Sequence, residues 1–433
     1  MVTSKSRGFR PGVELLSHPA FRLLFAILLL ATHLVLIRAR AKDLLFLPFN
    51  VAPGAAPEFV PPDAPVQSLL NWNRMIVSRW DAQHYLHIAL RGYSLCPPAD
   101  LRAAELAPLT SRCAFNFYPG YPVLGRIVTK LTSAPADYAL FGVSLAASLL
   151  FLYLYTGPAI SRRLGIVETY LSLILLNAFT TGFTLVTVQT EPVTLLSLLG
   201  GFVLFCRGQF LAGALVAGAA GAFRVTGAAI GLAFASAVLF NELSRKRAGL
   251  PIQWLRLLAT PPLAVWGQLA VFGYFYFKYN DPLLYVHTHS AVYAHAVSIY
   301  DAFFPDPRTV AHSLTYNSRE GFFIAASAIW LALGLRGAMR RFPAAERAYW
   351  LVSLAGTLGL ALVGSAGLAY AGMNRYLLIS LPLFFAMACV LKRRPAALLV
   401  WLVCSGWSYW CLDLPYFIAD RGKERLVPGI WAP

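Results

Sequence analysis

Long apolar runs alternate with short polar connections along most of the chain. Eleven runs have the length and apolarity of membrane-spanning helices: 20–37, 138–156, 170–188, 192–206, 209–223, 225–240, 257–277, 321–335, 348–368, 376–391 and 396–411. The first follows basic residues but is long enough to span, with no small-residue cleavage site directly after it. It reads as a retained helix rather than a removed leader. The runs 192–206 and 209–223 have 15 residues each, so each reaches about 22 Å at the helical rise. That falls short of a hydrocarbon core of about 30 Å. The shortness predicts a recess below the membrane surface, lined by the flanking Glu191 and Arg224. The alternative is longer spans with Arg224 snorkelling to the surface.

Two long connections separate these runs, at 38–137 and 278–320. The first begins with the proline-rich "LPFNVAPGAAPEFVPPDAP", which predicts irregular backbone. From 66 to 91 and from 117 to 131 the apolar period becomes helical, as expected of amphipathic helices lying on a membrane. No fixed-period repeat and no soluble domain boundary is visible. The expected architecture is therefore one all-α polytopic membrane domain, 1–433.

Composition agrees. Hydrophobic residues make up 58% of the 433 residues and charged residues only 13%, half the share usual in soluble domains. The formal net charge is +17, which in a soluble protein would suggest nucleic acid. Here the basic residues gather in alternate short connections: Arg162 and Arg163; Arg207; Arg245, Lys246, Arg247 and Arg256; Arg336, Arg340, Arg341 and Arg347; Lys392, Arg393 and Arg394. The opposite short connections carry only Arg224 and Arg375. This asymmetry assigns the first set to the cytoplasm. It argues against a nucleic-acid partner, since no readable basic motif accompanies it. Of the six cysteines, Cys96 and Cys113 share one polar loop and are a candidate disulfide.

Asp81, Glu191, Arg224, Asp281 and Arg375 come from five connections, yet the topology puts them on one non-cytoplasmic face. Asp81 opens a helical run in "SRWDAQHYLHIALRGY". It is placed to cap that helix, and a held carboxylate also suits a general base. His84 and His87 follow at three-residue steps, on the same helix face. The spacing is not a zinc signature, and no metal is assigned. Trp80, Tyr85, Tyr93, Tyr118 and Tyr121 fit interfacial anchors, and their rings also suit stacking on sugars. Arg79, Arg224 and Arg375 are phosphate candidates through forked, charge-assisted hydrogen bonds. No Gly-rich nucleotide loop or Ser–His–Asp set is present.

"WDAQHYLHIALRGY" followed by "FNFYPGYP" resembles the PIG-V family, which includes GPI mannosyltransferase II and bacterial relatives. "FTLVTVQTEPVTLLSLLG", "FRVTG", "NDPLLYVHTHS" and "NRYLLISLPLFF" resemble later elements of that family, in order along the chain. The resemblance implies a GT-C membrane fold. It also implies transfer of a mannosyl residue from a polyprenyl- or dolichyl-phosphate donor to a lipid or glycan acceptor on the non-cytoplasmic face. Asp81 would then be the base and Arg224 and Arg375 the phosphate ligands. Trp80, His84, Tyr85, Tyr118, Glu191 and Asp281 would contact sugar or acceptor, with no cofactor beyond the lipid-linked donor. Gln83 and Val225–Thr226 depart from the family pattern and bear on the acceptor. No Asn-x-Ser/Thr sequon occurs, which favours a bacterial plasma membrane with a periplasm-facing site over the endoplasmic reticulum. Other readings are a GT-C transferase of another sugar, a secondary transporter, and a catalytically silent lipid-glycan binding subunit.

Overall fold

A computed structural model describes residues 11–44, 81–93, 115, 117–292, 318–365 and 372–415. Arg79, Trp80, Cys96 and Cys113 lie outside the described residues. Among the described residues the chain is helical, with no strand. Five helices are long and apolar enough to cross a membrane, or seven if each of two bent pairs is one span. The protein is an α-helical, membrane-embedded chain.

The chain opens with α1 (Pro11–Ser17) and the long α2 (Pro19–Leu44). Two peripheral helices follow, α3 (Ala82–Arg91) and α4 (Gly120–Thr132). Next come α5 (Ala136–Tyr155), α6 (Pro158–Leu164) and α7 (Ile166–Asn177). The predicted third span was to run unbroken to 188, but α7 stops at Asn177, and a 3₁₀ turn (Gly182–Val186) takes over. The cause is a tight return of the chain: a Cβ on Gly182 would lie 2.3 Å from the Asn177 carbonyl oxygen. The break falls at "NAFTTGFT" (177–184), where threonines and Gly182 interrupt the apolar run without adding a charge, so a count of span length passes over it.

The short hairpin follows as α8 (Glu191–Cys206) and α9 (Phe210–Phe223), 16 and 14 residues long. Small residues let these helices approach closely, with Gly200 and Gly201 facing Val216, Gly213 and Ala217. Glu191 therefore starts one arm and Arg224 ends the other, at the same end of the hairpin. The chain reverses at Arg224–Gly227 into α10 (Gly227–Arg247). A Cβ on Gly227 would sit 1.9 Å from the Ala220 carbonyl oxygen, so only glycine fits this turn.

Helices α11 (Trp254–Ala264) and α12 (Trp266–Tyr279) form one bent pair, angled by 47°, with Pro261 and Pro262 just before the break. Then come α13 (Leu284–Val292), α14 (Ser318–Met339) and α15 (Ala344–Ser365). The second bent pair, α16 (Met373–Ile379) and α17 (Leu381–Leu391), turns by 76° at Ser380, next to Pro382. Helix α18 (Pro395–Ser408) runs into a π turn at Tyr409–Asp413.

The core lies where α8 packs on α5 and α9, α10 on α15, and α14 on α17. Trp350 sits fully buried against Phe202 and Phe385. Inside the bundle His33 bridges α2, α7 and the π turn. Asn177 donates its Nδ2 to the Leu173 carbonyl, so its Oδ1 accepts from His33 Nε2 (3.2 Å), and His33 Nδ1 accepts from the Tyr409 hydroxyl (2.9 Å). This neutral tautomer satisfies both ring nitrogens, as an intramembrane polar group requires.

Candidate functional site

Asp81 precedes α3, and Tyr85 N–H bonds its backbone carbonyl to begin the helix. Its side chain makes no capping hydrogen bond, so the capping expectation fails. The carboxylate instead reaches across 294 positions of chain: Arg375 Nη1 donates to Asp81 Oδ2 at 2.5 Å. Arg375 stands in the first turn of α16, after Gly372 in the left-handed region (φ 79°). Its other nitrogens are also engaged. Nε donates to Glu191 Oε1 at 2.7 Å, and Nη2 to Gln189 Oε1 at 2.8 Å.

Arg224 reaches the same carboxylate from the hairpin's other arm. Its Nη1 lies 2.7 Å from Glu191 Oε1 and 3.3 Å from Thr190 Oγ1. Its guanidinium carbon sits 4.8 Å above the Tyr376 ring, a cation–π contact. Extended backbone at Arg224 (φ −151°, ψ 152°) aims the side chain away from the helix it ends.

Glu191 is fully buried. An isolated buried carboxylate is costly, and two guanidinium groups offset that cost. The first turn of α8 adds a favourable dipole. Four side chains from four segments thus form one network with two positive and two negative charges. Two groups in it have capacity left. Glu191 Oε2 has no hydrogen-bond partner. Both polar contacts of Arg224 run through Nη1 alone, which leaves Nε and Nη2 for a ligand. Asp81 is the most open member, its side chain 30% exposed against 13% for Arg375.

Aromatic packing holds α3 in place. Tyr85 stands edge-on to both Phe117 and Tyr121, at 5.4 and 5.3 Å. His84 stacks on Phe117 at 4.3 Å. Arg126 of α4 donates to the carbonyls of Ile88 and Ala89 at the end of α3 (2.9 and 2.7 Å), as suits a cation at a helix C-terminus. Burial holds the His84 imidazole below its ordinary pKa, against the opposing pull of Asp81. Burial likewise raises the Tyr85 phenol.

Several sequence expectations change here. Tyr85, Tyr93, Tyr118 and Tyr121 are buried, not exposed interfacial anchors. The Tyr85 ring is flanked by protein rings, so only its hydroxyl, bonded to Thr190, faces the charged network. Tyr118 accepts from Gln268 Nε2 at 2.9 Å and packs edge-on to Tyr285. Burial pushes its phenol up to about 12. It belongs to a separate aromatic cluster with Tyr93, Phe115 and Phe275 that clamps the first loop onto α12. Asp281 is engaged locally: Oδ1 accepts from Leu283 N–H (2.9 Å) and Oδ2 faces His287 Nδ1 (2.7 Å). None of these contacts reaches Asp81 or the two arginines.

The network also includes Gln189, Thr190 and Tyr376, which the sequence did not single out. Gln189 and Thr190 directly precede Glu191 in "VQTEP", a polar step between apolar runs, and that was the available signal. Tyr376 is simply the neighbour of Arg375. No family model, no curated protein and no solved structure matches this chain.

Proposed function

We propose that the protein is a membrane glycosyltransferase that moves a mannosyl residue from a polyprenyl- or dolichyl-phosphate donor to a lipid- or glycan-linked acceptor. In this reading it works on the non-cytoplasmic face, most simply that of a bacterial plasma membrane. The observation that carries it is the convergence of Asp81, Glu191, Arg224 and Arg375 from distant segments at one end of the short hairpin.

The chemistry follows from that convergence. The unused nitrogens of Arg224 take the donor phosphate. Arg375 holds Asp81 through Oδ2 in the donor-free site, and in the reacting complex the carboxylate faces the acceptor hydroxyl. The acceptor oxygen attacks the anomeric carbon and its proton passes to Asp81. The glycosidic bond breaks, and its electron pair leaves on the phosphate oxygen. Charge grows there in the transition state, beside prepositioned cations. Single displacement inverts the anomeric centre. Glu191 stays buried between the two arginines and holds both guanidinium groups in place. Before the donor arrives, Arg224 has free nitrogens for the phosphate while Arg375 holds the two carboxylates.

Purified protein incubated with polyprenyl-phosphate-mannose and membrane lipid extract should yield a product heavier by one hexose. Intact donor after long incubation, with folded protein and a range of acceptors, would refute the proposal.

A further inference from the structure

In the structure Arg375 gives Nη1 to Asp81, with an anionic oxygen 2.5 Å away where a donor phosphate would also be attracted. The network is already neutral: Arg224 and Arg375 balance Asp81 and Glu191. A phosphate arriving at Arg224 therefore meets a site whose second cation is occupied by an internal anion. Glu191 cannot yield, because it is fully buried between both arginines. Asp81 can, since it sits at the exposed edge on a helix outside the bundle core.

We propose that the Asp81–Arg375 ion pair is a latch, with Asp81 occupying the place that a lipid-linked phosphate takes on Arg375. This rests on the phosphate-donor reading above and adds an order of events to it. The donor binds first, on Arg224. Its phosphate competes for Arg375 Nη1 and loosens Asp81, which then faces the acceptor as an unpaired, more basic carboxylate. After transfer the acceptor proton is on Asp81, and the lipid phosphate has become a monoester with about two negative charges. Once Asp81 releases that proton to solvent, it is again an anion. It then reclaims Arg375 and expels the doubly charged product. The same carboxylate thus serves as base and as ejector.

The consequence is counterintuitive: removing the base strengthens product binding. The test measures binding of a sugar-free polyprenyl phosphate to the purified full-length protein in neutral-lipid nanodiscs. Asp81→Asn and Asp81→Ser both remove the competing charge, so either variant that folds suffices. Each is expected to bind at least about tenfold tighter than wild type. Asp81→Glu keeps the charge and is expected to match wild type. Equal or weaker binding by the neutral variants overturns the latch. Arg224→Gln separates the two ideas: if it binds the phosphate undiminished, the phosphate site itself is wrong. A latch that fails leaves the Arg224→Gln loss intact. Tighter binding by neutral variants of a protein that transfers no sugar keeps the latch and removes the sugar chemistry.

Discussion

Two ionic networks stand at opposite ends of the bundle, and they are built differently. Near the start of α7, Glu168 takes Arg341 Nη1 (2.8 Å) and the Lys392 ammonium, which follow α14 and α17, both on its Oε1. Beside them Arg163 grips Glu346 with a two-point fork, Nε to Oε2 at 2.7 Å and Nη2 to Oε1 at 2.5 Å. In that fork both carboxylate oxygens have a partner, and the bonds join helix ends that must stay together. At the Asp81 end, two arginines likewise converge on one oxygen of Glu191, but there the other oxygen is buried with no partner. A saturated fork holds helices in place. In the proposed reading, the unused guanidinium donors of Arg224 are what a ligand would engage.

Mutations should separate the two ends. Arg375→Ala has the largest expected effect. It leaves Asp81 unpaired and Glu191 buried with one cation, so stability should fall by about 3–5 kcal/mol and transfer should vanish. Thermal unfolding and a sugar-transfer assay would show both. Arg375→Lys restores charge without the three-way fork and should not recover transfer. Asp81→Asn comes next. Transfer should drop by about 100-fold or more while the melting temperature stays near wild type, because Asp81 is partly exposed. Loss of folding in this variant would make Asp81 a structural residue like Glu346.

Tyr376→Leu removes the ring beneath Arg224. The contact contributes about 0.5–2 kcal/mol, so the KM for the lipid donor should rise several-fold with kcat little changed. An unaltered KM would detach Arg224 from donor binding. At the other end, Glu346→Gln should cost about 1–3 kcal/mol of stability, since Glu346 is buried and its partner Arg163 partly exposed, and leave transfer per folded molecule intact. If transfer fell as steeply as in Asp81→Asn, the contrast between the two ends would collapse.

His84 gives the smallest effect. Burial depresses its folded pKa. The unfolded chain therefore binds the extra proton first as pH falls below about 6.5, and stability declines through the window down to the folded pKa. The slope is bounded at about 1.4 kcal/mol per pH unit for one proton. His84→Asn should flatten the stability curve in that range, as chemical denaturation at several pH values would show.

Apolar run length located the helices because lipid-facing positions must be apolar whatever their neighbours. It passed over the break after Asn177 and the 76° turn at Ser380, because the threonines and Gly182 at one and Ser380 and Pro382 at the other carry no charge and leave each run long enough to read as one span. Glu191, Arg224 and Arg375 stood out because each is a charge in an otherwise sparsely charged connection, and Asp81 because it opens the helical run of "WDAQHYLHIALRGY". Their pairing did not, because Asp81 and Arg375 are 294 positions apart. The tyrosines misled for a related reason: an amphipathic ring reads alike at a lipid interface and in a packed loop. Tyr121 shows this, with zero exposure and its hydroxyl on the Leu140 carbonyl. Asp281 looked equivalent to Asp81 by type and side, and only its nearby partner His287 distinguishes them.

The most direct measurement is a single-turnover reaction of polyprenyl-phosphate-mannose with purified wild-type and Asp81→Asn protein, reading the mass and anomeric configuration of the glycolipid formed. The account predicts an inverted mannosyl product from wild type, and from the variant a folded protein that retains its donor unreacted. Product formation by Asp81→Asn at the wild-type rate would contradict it.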